Sequence, residues 1–433
     1  MTRRGMTLVE MMVATTATLI LMAAVAQVFS VFGSALSDSR SMVELDARMR
    51  TVAARLRGDL SGATARPLPP LDPQAGEGYF EIIEGPQTDL SAAAGTTDLA
   101  ADTDDVLLLT TRNSNIPFLG RSGTNGGFVE STVAEVAWFL RPTIAATTPT
   151  LAYTSNPATF TLFRRQLLVV GLAGFSPFSD KANTAPASSW SGFFDQYDIS
   201  ARVTATGTVT PNTLADLTRR ESRFLHSSVI TSFPFPFVNH QAQPAPDGLI
   251  FAAPSPRVGE DVVLTNVLSF DVRVFDPVAP VDVVGDAAVV PGDRGATGGT
   301  GSVASGAYVD LGNGSSPGPS GVAARFSGYG DSRAGTGANG LQGSLNSRRT
   351  YDTWSTHYEA NGVDEDDGGS GPIDEGSDGL DNNDNGQVDE TDEQETSPPY
   401  PVPLRGVEVR IRCYEPASRQ VRQITVRHTF VPH

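Results

Sequence analysis

Two places in this 433-residue chain carry residues whose type and spacing suit chemistry, and both turn on carboxylates. The first is Asp381-Asn382-Asn383-Asp384-Asn385-Gly386-Gln387-Val388-Asp389-Glu390-Thr391-Asp392, which follows the calcium-loop spacing D-x-[DN]-x-[DN]-G. Alternate oxygens at Asp381, Asn383 and Asn385 can converge on one hard cation, Gly386 permits the sharp turn, and the Gln387 carbonyl can supply another ligand. Asp389 would bind through water. Asp392 stands where such a loop places its bidentate glutamate, with the longer Glu393 beside it as a substitute. The flanks lack helical periodicity, so the expectation is an isolated calcium loop, with a second, poorer site drawn from Asp364, Asp366, Asp374 and Asp378. A solvated acidic loop without metal is the alternative. The second place is Glu10, one step before 22 uncharged residues, where a carboxylate is costly in lipid unless it finds a partner.

No catalytic arrangement accompanies them. His226, His240, His357, His428 and His433 show no metal-binding spacing. His428 and Cys413 fall on apolar faces of expected strands and read as a packed imidazole and a buried, inert thiol. Gly314-Ser315-Ser316-Pro317-Gly318 fits G-x-S-x-G formally, but a Gly/Ser tract supplies neither the strand nor the helix that a nucleophile elbow needs. Lys181 is the only lysine, so there is no P-loop, and a single cysteine excludes an intrachain disulfide or a Cys-rich zinc site. The expectation is a protein that is not an enzyme. Net charge is −18, but 14 of the 18 excess negative charges sit in the 35 residues from Asn361 to Glu395. The rest is only mildly acidic, which gives no electrostatic footprint for nucleic acid.

The elements that would position these residues begin at the N-terminus. The uncharged run Met11–Phe32 makes a helix about 33 Å long at roughly 1.5 Å per residue, enough to cross a bilayer core of about 30 Å. Arg3 and Arg4 precede it, so the positive-inside bias leaves the N-terminus cytoplasmic and the remainder outside. Beyond it Met42, Leu45, Met49, Val52, Ala53, Leu56 and Leu60 recur at helical spacing, while Glu44, Asp46, Arg48, Arg50, Arg55, Arg57 and Asp59 take the other face. That pattern predicts an amphipathic helix ending near Gly62, with Gly33 and Ser34 loosening the junction.

The stretch Arg4-Gly5-Met6-Thr7-Leu8-Val9-Glu10, followed by the apolar run, resembles the type III signal sequence of type IV prepilins and pseudopilins. The resemblance implies cutting between Gly5 and Met6 by a prepilin peptidase and N-methylation of Met6. It also implies that Glu10 neutralises a neighbouring subunit's new ammonium as helices bundle. Two other readings of the same segment stay open: a signal peptide cut after Ala24-Val25-Ala26, and a plain uncleaved anchor. Arg55-Leu56-Arg57-Gly58-Asp59-Leu60, Asp105-Val106-Leu107-Leu108-Leu109 and Leu162-Phe163-Arg164-Arg165 are similar to places in J-type minor pseudopilins of type II secretion and W-type minor pilins.

After the helix the period changes to two. Leu268, Phe270, Val272 and Val274 alternate with Ser269, Asp271 and Arg273, as a one-sided strand would. Val407–Cys413 and Ile424–Phe430 alternate likewise about Glu415-Pro416-Ala417-Ser418 and predict a hairpin; Val106–Thr111, Val133–Leu140 and Phe160–Val170 are further strands. The fold class expected is α+β, a pilin fold with a long N-terminal helix packed on an antiparallel sheet and long flexible insertions. One insertion, about 143–243, carries the aromatic run Phe233-Pro234-Phe235-Pro236-Phe237. The organisation expected is leader 1–5, transmembrane and assembly helix 6–32, amphipathic continuation 33–66, β-rich head 67–280, Gly/Ser-rich insertion 281–350, acidic calcium-loop region 351–398 and C-terminal hairpin 399–433. This describes a minor pseudopilin or minor pilin whose partners are the peptidase, other pilin-type subunits and the inner membrane. The alternative is a membrane-tethered, calcium-dependent extracytoplasmic binding module.

Overall fold

The computed structural model describes residues 7–68, 76–84, 102–103, 105–123, 127–142, 159–170, 193, 196–203, 209–219, 222–224, 257, 259–291, 293, 303–312, 326, 350–353, 373, 375, 378–389, 393 and 402–430. Helix α1 runs unbroken from Leu8 to Ser61, 54 residues, and does not loosen at Gly33. It starts on a capping box: the Glu10 N–H donates to Thr7 Oγ1 (3.3 Å), and the Thr7 N–H donates to Glu10 Oε2 (2.8 Å). It stops at Gly62, whose N–H donates to the Gly58 and Leu60 carbonyls. A side chain at Gly62 would collide with the Arg112 carbonyl and the Thr111 hydroxyl, so the helix can turn against the sheet here only without one.

The predicted stripe Met42, Leu45, Met49, Val52, Ala53, Leu56 and Leu60 is buried along its whole length. Each of its larger side chains contributes roughly 1.5–3 kcal/mol on leaving water. The surface it covers is antiparallel sheet. In chain order the strands are β1 (Phe80–Ile83), β2 (Val106–Arg112), β3 (Phe118–Arg121), β4 (Phe128–Ser131), β5 (Val133–Pro142), β6 (Phe160–Leu168), β7 (Ala201–Val203), β8 (Val209–Pro211), β9 (Val262–Val284), β10 (Ala287–Val289), β11 (Ala304–Val309), β12 (Thr350–Asp352), β13 (Gly406–Glu415) and β14 (Gln420–Thr429). The main sheet runs β12-β1-β2-β5-β6-β9-β13-β14, with β10 and β11 also on β9, while β3–β4 and β7–β8 form separate two-stranded ribbons. The architecture is therefore α+β, and β13 and β14 make the expected C-terminal hairpin.

Both faces of the sheet are covered. In β2, Leu107 and Leu109 join the α1-side core, whereas Val106 and Leu108 join a second cluster with Tyr79, Phe139, Leu217 and Phe224. Double burial explains why β2 reads as a continuous apolar run. Strand β9 is long enough to serve several partners in turn: β6 up to Val267, β13 from Val267 to Val274, and β11 from there to Val281. A register shift falls where β9 passes from β6 to β13, and Asn266 sits there at φ 56°, a conformation that asparagine tolerates. Past this point residues 102–105 take the place of β6: the Val272 N–H donates to Asp105 Oδ2 (2.6 Å) and the Phe270 N–H to the Asp102 carbonyl (3.1 Å).

Three further expectations need correction. Asp59 does not lie on the solvent face of α1; it is 4% exposed and grips Arg164 of β6 through two hydrogen bonds of 2.7 Å, while the Trp138 Nε1–H donates to it at 2.9 Å. The polar side of β9 is not solvated either, since Ser269, Asp271 and Arg273 are all buried. Finally, the stretch 281–350, irregular by composition, contributes β10, β11 and the buried Phe326.

Breaking the helix-to-sheet pair by Asp59→Ala strips a buried guanidinium of its carboxylate, leaving it the Gln166 Oε1 amide oxygen (2.9 Å), and takes the acceptor from the Trp138 indole N–H. The expected cost is about 3–5 kcal/mol, read as a lowered thermal midpoint of the full chain in detergent. A shift within experimental error would show that the stripe alone holds α1 in place.

Candidate functional site

The first half of α1 is bare. Leu19, Ile20, Leu21, Phe29 and Phe32 are all about two-thirds exposed, and no part of the most apolar 18-residue window is buried. This segment is long and apolar enough to cross a membrane. Its threonines do not spoil it, because their hydroxyls are turned inward along the helix. Thr15 donates to the Met11 carbonyl (2.9 Å), Thr16 to Met12 (2.8 Å) and Thr18 to Ala14 (2.8 Å), so the polar atoms are satisfied within the rod. At its start Glu10 is exposed, and its Oε2 accepts from both the N–H and the hydroxyl of Thr7, the latter at 3.0 Å. Gly5 and Met6 lie outside the described residues.

The acidic loop is organised by its own side chains. Asp381 accepts the Asn385 N–H (2.9 Å) and the Gly386 N–H (2.7 Å); Asn383 Oδ1 accepts the Asn385 N–H (3.0 Å), and Asn385 Oδ1 accepts the Gln387 N–H (2.9 Å). Asp384 and Gly386 both have positive φ, 58° and 90°, which winds the chain tightly around these oxygens. The structure thus brings Asp381, Asn383 and Asn385 into one turn, in the alternation that the sequence implies. A carboxylate or amide oxygen has two lone-pair directions, and an N–H occupies one. Asp389 is tied elsewhere: its Oδ1 accepts the Gly379 N–H at 2.9 Å. Asp392, Asp364, Asp366 and Asp374 lie outside the described residues, while Asp378 braces the main loop by accepting from Leu380 N–H (2.8 Å) and Asn382 Nδ2 (3.1 Å). Glu393 folds back onto the loop and is buried.

One acidic group has no counterpart in the sequence reading. Glu84, Asp102 and Asp105 are buried, and their oxygens lie within 4.8 Å of one another, close enough to share a metal ion. None of the three is isolated, Asp105 being the acceptor for Val272. They come from the end of β1 and the approach to β2, with no regular spacing to flag them.

Cys413 faces the core, donates weakly to the Thr265 and Asn266 carbonyls (3.2 Å each), and is pushed up to about 12 by burial. His428 stacks edge-on against Phe430 at 4.8 Å, and partial burial lowers its pKa. His226, His240, His357, His433, Lys181, the Gly314–Gly318 tract and the Phe233–Phe237 run lie outside the described residues. The chain matches no family model, no curated protein and no solved structure.

Because thiolate is the reactive form, Cys413 at pH 8 should be inert to a thiol-exchange reagent in the native chain and react promptly once unfolded. Fast labelling without denaturant would contradict its burial.

Proposed function

We propose that this chain is a minor pseudopilin or minor pilin with a pilin-type fold, a structural subunit of a type II secretion or type IV pilus-like assembly. In this reading it crosses the inner membrane once, N-terminus cytoplasmic and C-terminal domain extracytoplasmic. A prepilin peptidase cuts between Gly5 and Met6, and Met6 is methylated on its new amine. The stem then leaves the bilayer laterally and packs among the helices of other pilin-type subunits. Its work is assembly rather than catalysis, and the large head suits a tip or initiation position.

One observation carries the reading: a single unbroken helix bears a carboxylate, Glu10, in its first turn, is bare and uncharged from Met11 to Phe32, and forms core from Met42 to Leu60. An apolar surface of that extent is stable in lipid or against other apolar helices, not in water. A carboxylate at its lip becomes tolerable there once it meets a cation, and the terminal ammonium of an adjoining subunit is such a cation.

Material recovered from native cells should therefore yield methylated methionine, from position 6, in the first cycle of N-terminal sequencing. Glu10→Ala should be exported and folded yet fail to enter fibres. Normal incorporation of that variant, or a different first residue, overturns the proposal.

A second reading has its own observation, the ordered oxygens of Asp381, Asn383 and Asn385: a membrane-tethered module that binds an extracytoplasmic partner in a calcium-dependent way. With a Kd of roughly 10⁻⁴–10⁻³ M, about 5 mM calcium would stabilise the full chain by about 1–2 kcal/mol. The thermal midpoint in detergent should rise accordingly; an unchanged midpoint removes this reading and leaves the first untouched.

A further inference from the structure

We infer that Glu393, rather than Asp392, is the acidic ligand that closes the loop beginning at Asp381 around a calcium-sized cation. The inference deepens the calcium reading of the loop and rests on it. Its basis is an imbalance within one carboxylate. Glu393 is 2% exposed. Its Oε1 accepts the N–H groups of Asn382 (2.5 Å) and Asn383 (3.1 Å), so the side chain reaches back across the whole loop to its first turn. Its Oε2 is equally buried and has no hydrogen-bond partner among the described residues. A charged oxygen withdrawn from water with nothing to receive it is strongly unfavourable, and structures rarely leave one so.

A hard divalent cation removes that cost in one contact. The other donors are close at hand in sequence and share the same turn, where the side-chain oxygens of Asp381, Asn383 and Asn385 each accept backbone N–H groups. Position explains the choice of residue. Glu393 stands one place beyond the end of the twelve-residue motif, and its extra methylene spans the additional step that a shorter aspartate would not. A site built from amide, carbonyl and carboxylate oxygens suits calcium, with its larger and more variable coordination shell, over magnesium.

Calorimetric titration of calcium chloride into the full-length chain in detergent tests this, using the wild type, Glu393→Gln, Asp392→Asn and Asp381→Asn. The wild type should bind one ion, Asp381→Asn should lose the heat, Glu393→Gln should weaken binding tenfold or more, and Asp392→Asn should change it less than threefold. With a chelator present, Glu393→Gln should melt no lower than the wild type, because the amide oxygen still accepts the two N–H groups while the buried charge is gone. If Asp392→Asn carries the loss and Glu393→Gln binds normally, the loop is a calcium site but Glu393 is not its ligand. If Glu393→Gln melts early in chelator and keeps its affinity, the residue serves the loop backbone alone. Absence of heat in the wild type overturns the inference together with the calcium reading itself.

Discussion

Asp59 and Arg164 meet in a dry pocket between α1 and β6, with the Trp138 indole as the third member. A helix held by a greasy stripe alone could slide by one turn, because Leu, Met and Val exchange places at little cost. A buried bidentate pair permits one register only, since any slip strands two charges in the core. The end of α1 takes its position from that contact. Gly62 can then turn beneath the Arg112 carbonyl, and the Arg112 N–H donates to the Gly62 carbonyl at 2.7 Å, linking the end of the helix to β2.

The same economy of paired charge recurs on the far face of the sheet. Arg223, fully buried, donates to Glu81 and Asp352 at 2.9 Å each and lies over the Tyr79 ring at 4.2 Å. Burial raises the pKa of Glu135, against which Ser200, the Phe224 N–H and Tyr79 all donate hydrogen bonds to it. Burial opposes charge on Arg273 too, yet Asp310, Asp271 and Asp293 outweigh it and hold the guanidinium above its ordinary range. These groups tie loops and edge strands to the middle of the sheet, where apolar contacts alone would leave their placement loose.

What could be read beforehand was whatever local periodicity encodes. The stripe from Met42 to Leu60, the stop at Gly62, the central strands and the C-terminal hairpin all follow from spacings of three to four or of two. Asp59 escaped because a charged residue on a helix is normally solvated, and its partner lies 105 positions away. Arg273 escaped for the same reason: alternation marks a polar side, but only packing decides whether that side meets water. Strands β10 and β11 are short and Gly-flanked, and they form because β9 extends far enough to pair with them, which composition does not reveal. In the acidic loop the spacing of Asp381, Asn383 and Asn385 was legible, whereas the return of Glu393 to the first turn is a tertiary fact.

The absence of any break at Gly33 has a mechanical meaning. Fifty-four residues in one α-helix make a rod about 81 Å long at roughly 1.5 Å per residue, with one face of its last third packed on the sheet. Such a rod transmits rotation as well as thrust. At about 100° per residue, the azimuth of Phe29 on the stem is tied to that of the helical face packed against β14, so fixing the stem also fixes the sheet. A hinge would have let the two halves choose their orientations separately; without one, the direction of the bare stem and that of the sheet are a single geometric decision.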